Sequence, residues 1–118
     1  TPTLRMWWDE DEQRTQEYWN TIMHREGPAP HPLSGKLARE IIQRHLNCPS
    51  MVCVIALQDW LAIDEHLRLK DANAERINIP ANSNHYWRYR MHLNIEDLKN
   101  DKSFTEGIRE MVVKGNRI

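Results

Sequence analysis

The chain contains few of the residues that mark disulfide-rich, zinc-binding or nucleotide-binding proteins. Two cysteines, Cys48 and Cys53, occur among its 118 residues, too few for a disulfide framework or a cysteine-based zinc site. Glycine is scarce, with four residues and no glycine-rich phosphate loop, and the six histidines lack metal-ligand spacing. We therefore predict no metal site and no cofactor.

Excess charge and long apolar runs are lacking as well. The formal net charge is −1, with acidic and basic residues interspersed, which gives no support for nucleic acid or an anionic membrane as a partner. No apolar run approaches the ~20 residues that span a bilayer, and no secretory signal is recognisable. We expect a soluble, cytoplasmic protein. Its length is that of one domain, and we treat residues 1–118 as a single segment.

Tryptophan and tyrosine, by contrast, are plentiful: five and three residues against one phenylalanine. Both side chains combine a flat apolar face with a hydrogen-bonding edge, which suits a sugar ring or a half-buried core position. Trp7 and Trp8 therefore either pack the start of a helix against a neighbour or form a sugar platform, and we favour packing.

Caps and apolar periodicity predict a mostly helical chain. A first helix runs from about residue 10 to residue 24, and a second, residues 35–47, has the clearest amphipathic pattern. A short helix follows residue 94, and a last one ends at Gly115. The predicted N-caps are, in chain order, Asp9, Ser34, Asn94 and Ser103.

One apolar run has the length and β-branching of a strand: Met51-Val52-Cys53-Val54-Ile55-Ala56-Leu57, residues 51–57. Because it does not alternate with polar residues, we predict a strand buried on both faces, as in the parallel sheet of an α/β fold. Gln58 and Asp59 would then lie at its C-terminal end, where a barrel places its active-site mouth, unless Asp59 caps the next helix. A lone strand of this type predicts a larger domain or pairing with another molecule.

A loop rich in polar and aromatic residues follows. Pro80 and the run Asn82-Ser83-Asn84 predict a turn, and binding residues are often carried by such loops. Two interpretations stay open for residues 75–90. They form a ligand site, or they form a structural turn whose aromatic residues pack on the core while its arginines face water.

Three stretches together resemble the C-terminal part of the 4-alpha-glucanotransferases, which include the amylomaltases and disproportionating enzymes. The resemblance extends over nearly the whole chain and is closest to the branch that contains the plant cytosolic disproportionating enzyme and its bacterial relatives. The matching stretches are Thr1-Pro2-Thr3-Leu4-Arg5-Met6-Trp7-Trp8-Asp9-Glu10-Asp11, Leu57-Gln58-Asp59-Trp60-Leu61, and Arg76-Ile77-Asn78-Ile79-Pro80 with His85-Tyr86-Trp87-Arg88-Tyr89-Arg90.

This resemblance implies a glycosyltransferase with a (β/α)8 TIM barrel that moves α-1,4-glucan segments between acceptors. It implies a retaining mechanism, in which one carboxylate is the nucleophile and a second carboxylic acid serves as acid and then base. A third carboxylate, an Asp after a His, stabilises the transition state directly ahead of the segment that resembles residues 1–5. None of the three has a counterpart in this sequence, so we expect no catalytic residue here.

The resemblance also implies substrate-binding residues. Asn78 matches an asparagine near the glucan subsites, and its amide can donate to and accept from sugar hydroxyls. Arg76 and Trp87 match motif positions too, where they contact glucan or brace the loop. Many bacterial members have glycine where this chain has Ala81, which puts the shape of the turn in doubt.

Two hypotheses follow. In the first, the chain is the C-terminal fragment of a (β/α)8 barrel, mostly helical with one buried strand. It binds maltooligosaccharide, partners the N-terminal part of the barrel, and is inactive in isolation. In the second, it is a non-catalytic helical glucan-binding or protein-interaction module. In either case the unpaired strand predicts that the isolated chain self-associates.

Overall fold

The computed structural model describes residues 2–79, 81–84 and 89–118, and these residues are mostly helical without a β-strand. The α-helices are α1 (Leu4–Glu10), α2 (Glu12–Thr21), α3 (Gly35–Asn47), α4 (Leu57–Leu61), α5 (Ile95–Asn100) and α6 (Lys102–Lys114). A short 3-10 helix, Ala72–Glu75, precedes the segment that carries Asn78. Among the described residues, no helix is long and apolar enough to cross a membrane.

Helix α3 lies at the centre of the core and confirms the second predicted helix. The Leu37 backbone N–H donates to Ser34 Oγ over 3.1 Å, so Ser34 is the predicted cap. The buried side chains of α3 belong to two clusters. The first contains Trp8, Leu33, Leu37, Ala38, Ile41 and Ala62, and the second contains Ile42, Leu46 and Met111. Helix α3 thus joins the packing of α1 to that of α6.

In the N-terminal region, α2 forms within the helix expected over residues 10–24 but is shorter, and α1 is an additional helix ahead of it. Asp9 lies within α1, and Asp11 is the residue that caps α2, accepting from the Arg14 backbone N–H. Trp8 is fully buried, and its indole N–H donates to the Pro30 carbonyl over 2.8 Å. The expected packing role therefore applies to Trp8, whose burial fixes α1 as a separate helix.

The predicted buried strand over residues 51–57 is not formed. Residues 51–56 have no regular secondary structure, and Leu57 begins α4. Met51 is 95% exposed and Val54 is 89% exposed, whereas Ile55 packs against the second cluster. A strand needs a hydrogen-bonded neighbour, and the described residues supply none. Only one side of the segment is therefore covered.

The C-terminal helices begin near their predicted positions but with different caps. Asn94 precedes α5 as expected, yet its amide contacts Asp97 Oδ2 at 3.4 Å instead of capping the backbone. The cap of α6 is Asp101, which accepts from the Phe104 backbone N–H, and not Ser103. The predicted cap lies two residues after the observed one, because the carboxylate of Asp101 is a stronger acceptor than the hydroxyl of Ser103.

Gly115 ends α6 as predicted, but for a packing reason. Its φ of −77° is available to any residue, so no left-handed conformation requires glycine. A Cβ at this position would lie 2.8 Å from the Leu46 carbonyl oxygen. Glycine thus lets the end of α6 approach the end of α3.

Candidate functional site

A cavity of about 360 Å³ opens beside the segment that carries Asn78. Its wall combines the chain start, helix α4 and the end of the 3-10 helix. The polar residues that line it are Thr3, Gln58, Asp59, Glu75 and Asn78. Residues 72 positions apart in the sequence therefore contribute to one surface.

A buried ion pair forms the floor of this site. Glu75 is 2% exposed, and its Oε1 accepts from Arg5 Nη1 over 2.6 Å. The Thr3 hydroxyl donates to Glu75 Oε2 over 3.0 Å, so both carboxylate oxygens are engaged. A buried charge of this kind is tolerated because its oxygens are paired and hydrogen-bonded.

The same arginine attaches the site to the preceding loop. Arg5 Nη1 also donates to the Leu69 carbonyl over 2.7 Å, and Nη2 donates to the Lys70 carbonyl over 3.2 Å. Gln58 Nε2 donates to the Glu75 carbonyl over 3.4 Å. These contacts fix the 3-10 helix against α1 and α4 immediately before the Asn78 segment.

Asp59 supplies a second carboxylate, which accepts fewer hydrogen bonds than Glu75 does. The Leu4 backbone N–H donates to Asp59 Oδ1 over 2.8 Å, so Asp59 caps α1 and not its own helix, for which Ala56 is the N-cap residue. Burial raises the pKa of the Asp59 carboxyl above its usual range, and the bond from Leu4 partly offsets this. The sequence had identified Asp59 as a cap, but its partner helix lies 55 positions away.

The comparisons with known proteins bear on this site. A family model described as 4-alpha-glucanotransferase matches residues 1–95 of the 118. The chain belongs to the 4-alpha-glucanotransferase family. The rice (Oryza sativa subsp. japonica) protein 4-alpha-glucanotransferase DPE2 is 35% identical over 115 residues. That match spans 98% of this chain but 12% of the rice protein. No solved structure matches.

The substrate-binding residues that the glucanotransferase resemblance implies have different surroundings. Asn78 lines the cavity. Arg76 points towards α1, where Nε donates to Met6 Sδ over 3.2 Å and Nη2 lies 3.4 Å from Glu10 Oε1. This position fits the bracing role better than direct contact with glucan. Trp87 lies outside the described residues.

Glu75 and Thr3 are the site residues that sequence reasoning missed. Glu75 belonged to the stretch identified as a candidate site, but no role was assigned to it. Its partner Arg5 lies 70 positions earlier, so no local pattern could connect the two. A useful signal would have been an acidic residue directly before the motif that carries Asn78.

Two further cavities lie near the one beside Asn78. A groove of about 450 Å³ between α3 and α6 contains paired charges, with Arg25 2.6 Å from Glu40 and Arg39 3.5 Å from Glu110. A mostly apolar cavity of about 300 Å³ lies below residues 54–55 and shares Asp59 with the cavity beside Asn78, whose wall is mostly apolar as well. In the part of the chain that the structure describes, no cluster of three His, Cys, Asp or Glu side chains could hold a metal ion.

Proposed function

We propose that this chain is a segment of a cytoplasmic 4-alpha-glucanotransferase that transfers α-1,4-glucan segments between maltooligosaccharide acceptors by a retaining double displacement. In this proposal the chain supplies a sugar-contacting loop and one end of a (β/α)8 barrel. The observation that carries the proposal is that Asn78 lines a cavity with a few other polar side chains, in a chain of this family.

The chemistry of the cavity suits a glucan. A sugar ring presents hydroxyls that both donate and accept, and the Asn78 amide can do the same. The carboxylate of Asp59 is a further acceptor, and Ile77 adds apolar surface for the face of a ring. Such a mixture of a few polar groups with apolar surface is typical of small-ligand sites.

The catalytic carboxylates come, in this proposal, from the remainder of the domain. A retaining transfer needs one carboxylate free to attack and a second group free to donate a proton. Both oxygens of Glu75 are held by Arg5 and Thr3, which leaves Glu75 neither role. The chain spans 12% of the rice relative, so the family domain has ample further sequence to supply them.

The segment 51–56 supports the barrel interpretation. Cys53 and Ile55 pack against the helices, while the alternate residues Val52 and Val54 are exposed. This alternation is that of a β-strand with one apolar face uncovered. The radius of gyration, 15.2 Å, also exceeds the about 13.5 Å expected for a closed domain of this length. We infer that neighbouring barrel strands cover this face in the complete domain.

An uncovered face of this kind predicts self-association of the isolated chain. We expect sedimentation to show concentration-dependent oligomers that disappear in the Val52→Lys, Val54→Lys double variant. A matched variant, Lys99→Glu with Lys102→Glu, changes charge on α5 and α6 and leaves association unchanged. Monomeric wild-type chain at all concentrations would contradict the inference.

Titration with maltoheptaose tests the sugar contact. We expect weak, saturable shifts of backbone amide resonances near residues 75–79 in NMR spectra, and Asn78→Ala should abolish them. Asn100→Ala is the matched control, because Asn100 is exposed and does not line the cavity. Shifts that persist in Asn78→Ala would reject Asn78 as the contact.

Incubation with maltotriose tests the division of labour. We expect the isolated chain to leave maltotriose unchanged, and the appearance of shorter and longer oligosaccharides would contradict this.

Micromolar, Asn78-dependent binding of maltoheptaose would instead favour the second hypothesis, a free-standing glucan-binding module. An open cavity with few polar contacts is expected to bind in the millimolar range.

A further inference from the structure

The two carboxylate oxygens of Asp59 differ in their hydrogen bonding. Oδ1 accepts from the Leu4 backbone N–H and so holds the start of α1. No donor from the described residues contacts Oδ2. Glu75 differs, since both of its oxygens are engaged. Asp59 therefore retains acceptor capacity that Glu75 has used.

The surroundings of Asp59 make that capacity significant. Asp59 is half-buried at the boundary of two cavities, one that Asn78 lines and one that Trp7 and Ile41 line, and the walls of both are mostly apolar. A carboxylate against an apolar wall loses hydration, and a hydrogen bond to its free oxygen compensates for that loss. Any group that donates to Oδ2 is therefore bound more strongly than it would be at an exposed aspartate.

We propose that Asp59 is a glucan-contacting residue, whose Oδ2 accepts a hydrogen bond from a sugar hydroxyl while Oδ1 continues to cap α1. This rests on the proposed function and adds a contact from α4 to the contact expected from the Asn78 segment. A carboxylate only accepts, whereas the Asn78 amide also donates. The two side chains would together bind neighbouring hydroxyls of one glucose unit.

Asp59→Asn separates the two oxygens of the carboxylate. The amide oxygen can still accept from Leu4, but the group that replaces Oδ2 becomes a donor. We expect the dissociation constant for maltoheptaose to rise about tenfold, the size of one lost charge-assisted bond. The matched control is Asp101→Asn, which makes the same change at the cap of α6 and does not line the cavity. We expect its dissociation constant to equal that of the wild type.

Maltotriose analogues that each lack one hydroxyl distinguish contact from a structural role. If Asp59 contacts the sugar, Asp59→Asn weakens binding of most analogues but not of the analogue that lacks the contacted hydroxyl. An equal loss for every analogue would indicate a purely structural role and overturn the proposal. The Leu4 amide resonance reports separately whether the cap is retained.

The remaining outcomes separate this inference from the proposed function. Wild-type affinity in Asp59→Asn, together with lost binding in Asn78→Ala, rejects the Asp59 contact and leaves the proposed function standing. No binding of maltoheptaose by the wild-type chain rejects both.

Discussion

Helix α3 is followed by the segment of residues 51–56, and both are rich in aliphatic side chains. The aliphatic side chains of the two regions are buried to very different extents. In α3 the whole apolar stripe is covered, as for Leu46, which is 3% exposed. In the segment only alternate side chains are covered, and Val54 is 89% exposed. A helix satisfies its own backbone and needs one partner surface, whereas a strand also needs neighbouring strands. The difference identifies residues 51–56 as the segment whose apolar side chains lack a covering surface among the described residues.

The largest effect should come from shortening matched side chains in the two regions. We expect Leu46→Ala to lower the free energy of unfolding by about 4 kcal/mol, because it leaves a cavity between α3 and α6. Val54→Ala should change it by less than about 0.5 kcal/mol, because nothing packs outside this side chain. Urea unfolding followed by circular dichroism measures both. A large loss in Val54→Ala would mean that the outer face of the segment is covered in the isolated chain.

The buried ion pair below the candidate site should rank next. Glu75→Ala leaves Arg5 buried without its partner, and we expect a loss of about 3 kcal/mol in unfolding free energy. The control is Glu65→Ala, whose carboxylate lies 3.5 Å from Arg68 and is 60% exposed, and it should cost less than about 0.5 kcal/mol. Equal losses in Glu75→Ala and Glu65→Ala would show that the region around the candidate site is stabilised by apolar packing alone, as α3 is.

Two serines sharpen the comparison further, since one precedes each region. Ser34→Ala removes the acceptor for the Leu37 N–H at the start of α3, and we expect a loss of about 1 kcal/mol. Ser50, directly before the segment, is exposed, and Ser50→Ala should lie within about 0.5 kcal/mol of the wild type. Thermal unfolding of the two variants side by side checks the difference. Similar losses would mean that the segment is held more firmly at its start than its exposure indicates.

The sequence predicts those features that depend on neighbouring residues. Helix α3 and its Ser34 cap follow from periodicity and cap chemistry, which act within a few residues. Gly115 ends α6 at the predicted position, although the close approach to Leu46 that requires glycine joins distant parts of the chain. The family follows from the ordered motifs and is confirmed by the match over residues 1–95. The expectation for Asn78 follows from the same motifs. The role of Asn78 itself stays a prediction.

What the sequence does not predict depends on distant partners. The Arg5–Glu75 pair and the Asp59–Leu4 bond join residues 70 and 55 positions apart, and no local pattern encodes such a pairing. The residue types at positions 51–57 predict a buried strand. Whether a strand forms depends also on a neighbouring strand to which its backbone can hydrogen-bond, and the residue types of the segment carry no information about that neighbour. The burial of Trp8 likewise depends on a distant partner, because its indole N–H donates to the carbonyl of Pro30, 22 positions away.

The smallest expected effect concerns Asp59, which lies where the two regions meet, since Ile41 of α3 and Val54 of the segment line the same apolar cavity. Burial raises the pKa of Asp59 in the folded state, so the folded chain takes up this proton at higher pH than the unfolded chain. The contribution of Asp59 to stability is therefore greatest at low pH and is lost as pH rises through the raised pKa. Asp59→Asn cannot titrate. We expect urea unfolding from about pH 3 to about pH 7 to show wild-type stability falling relative to the variant. A difference that does not change with pH would mean that Asp59 is solvated and that the shared cavity is open to water, and the opposite trend would mean that the hydrogen bond from Leu4 outweighs burial.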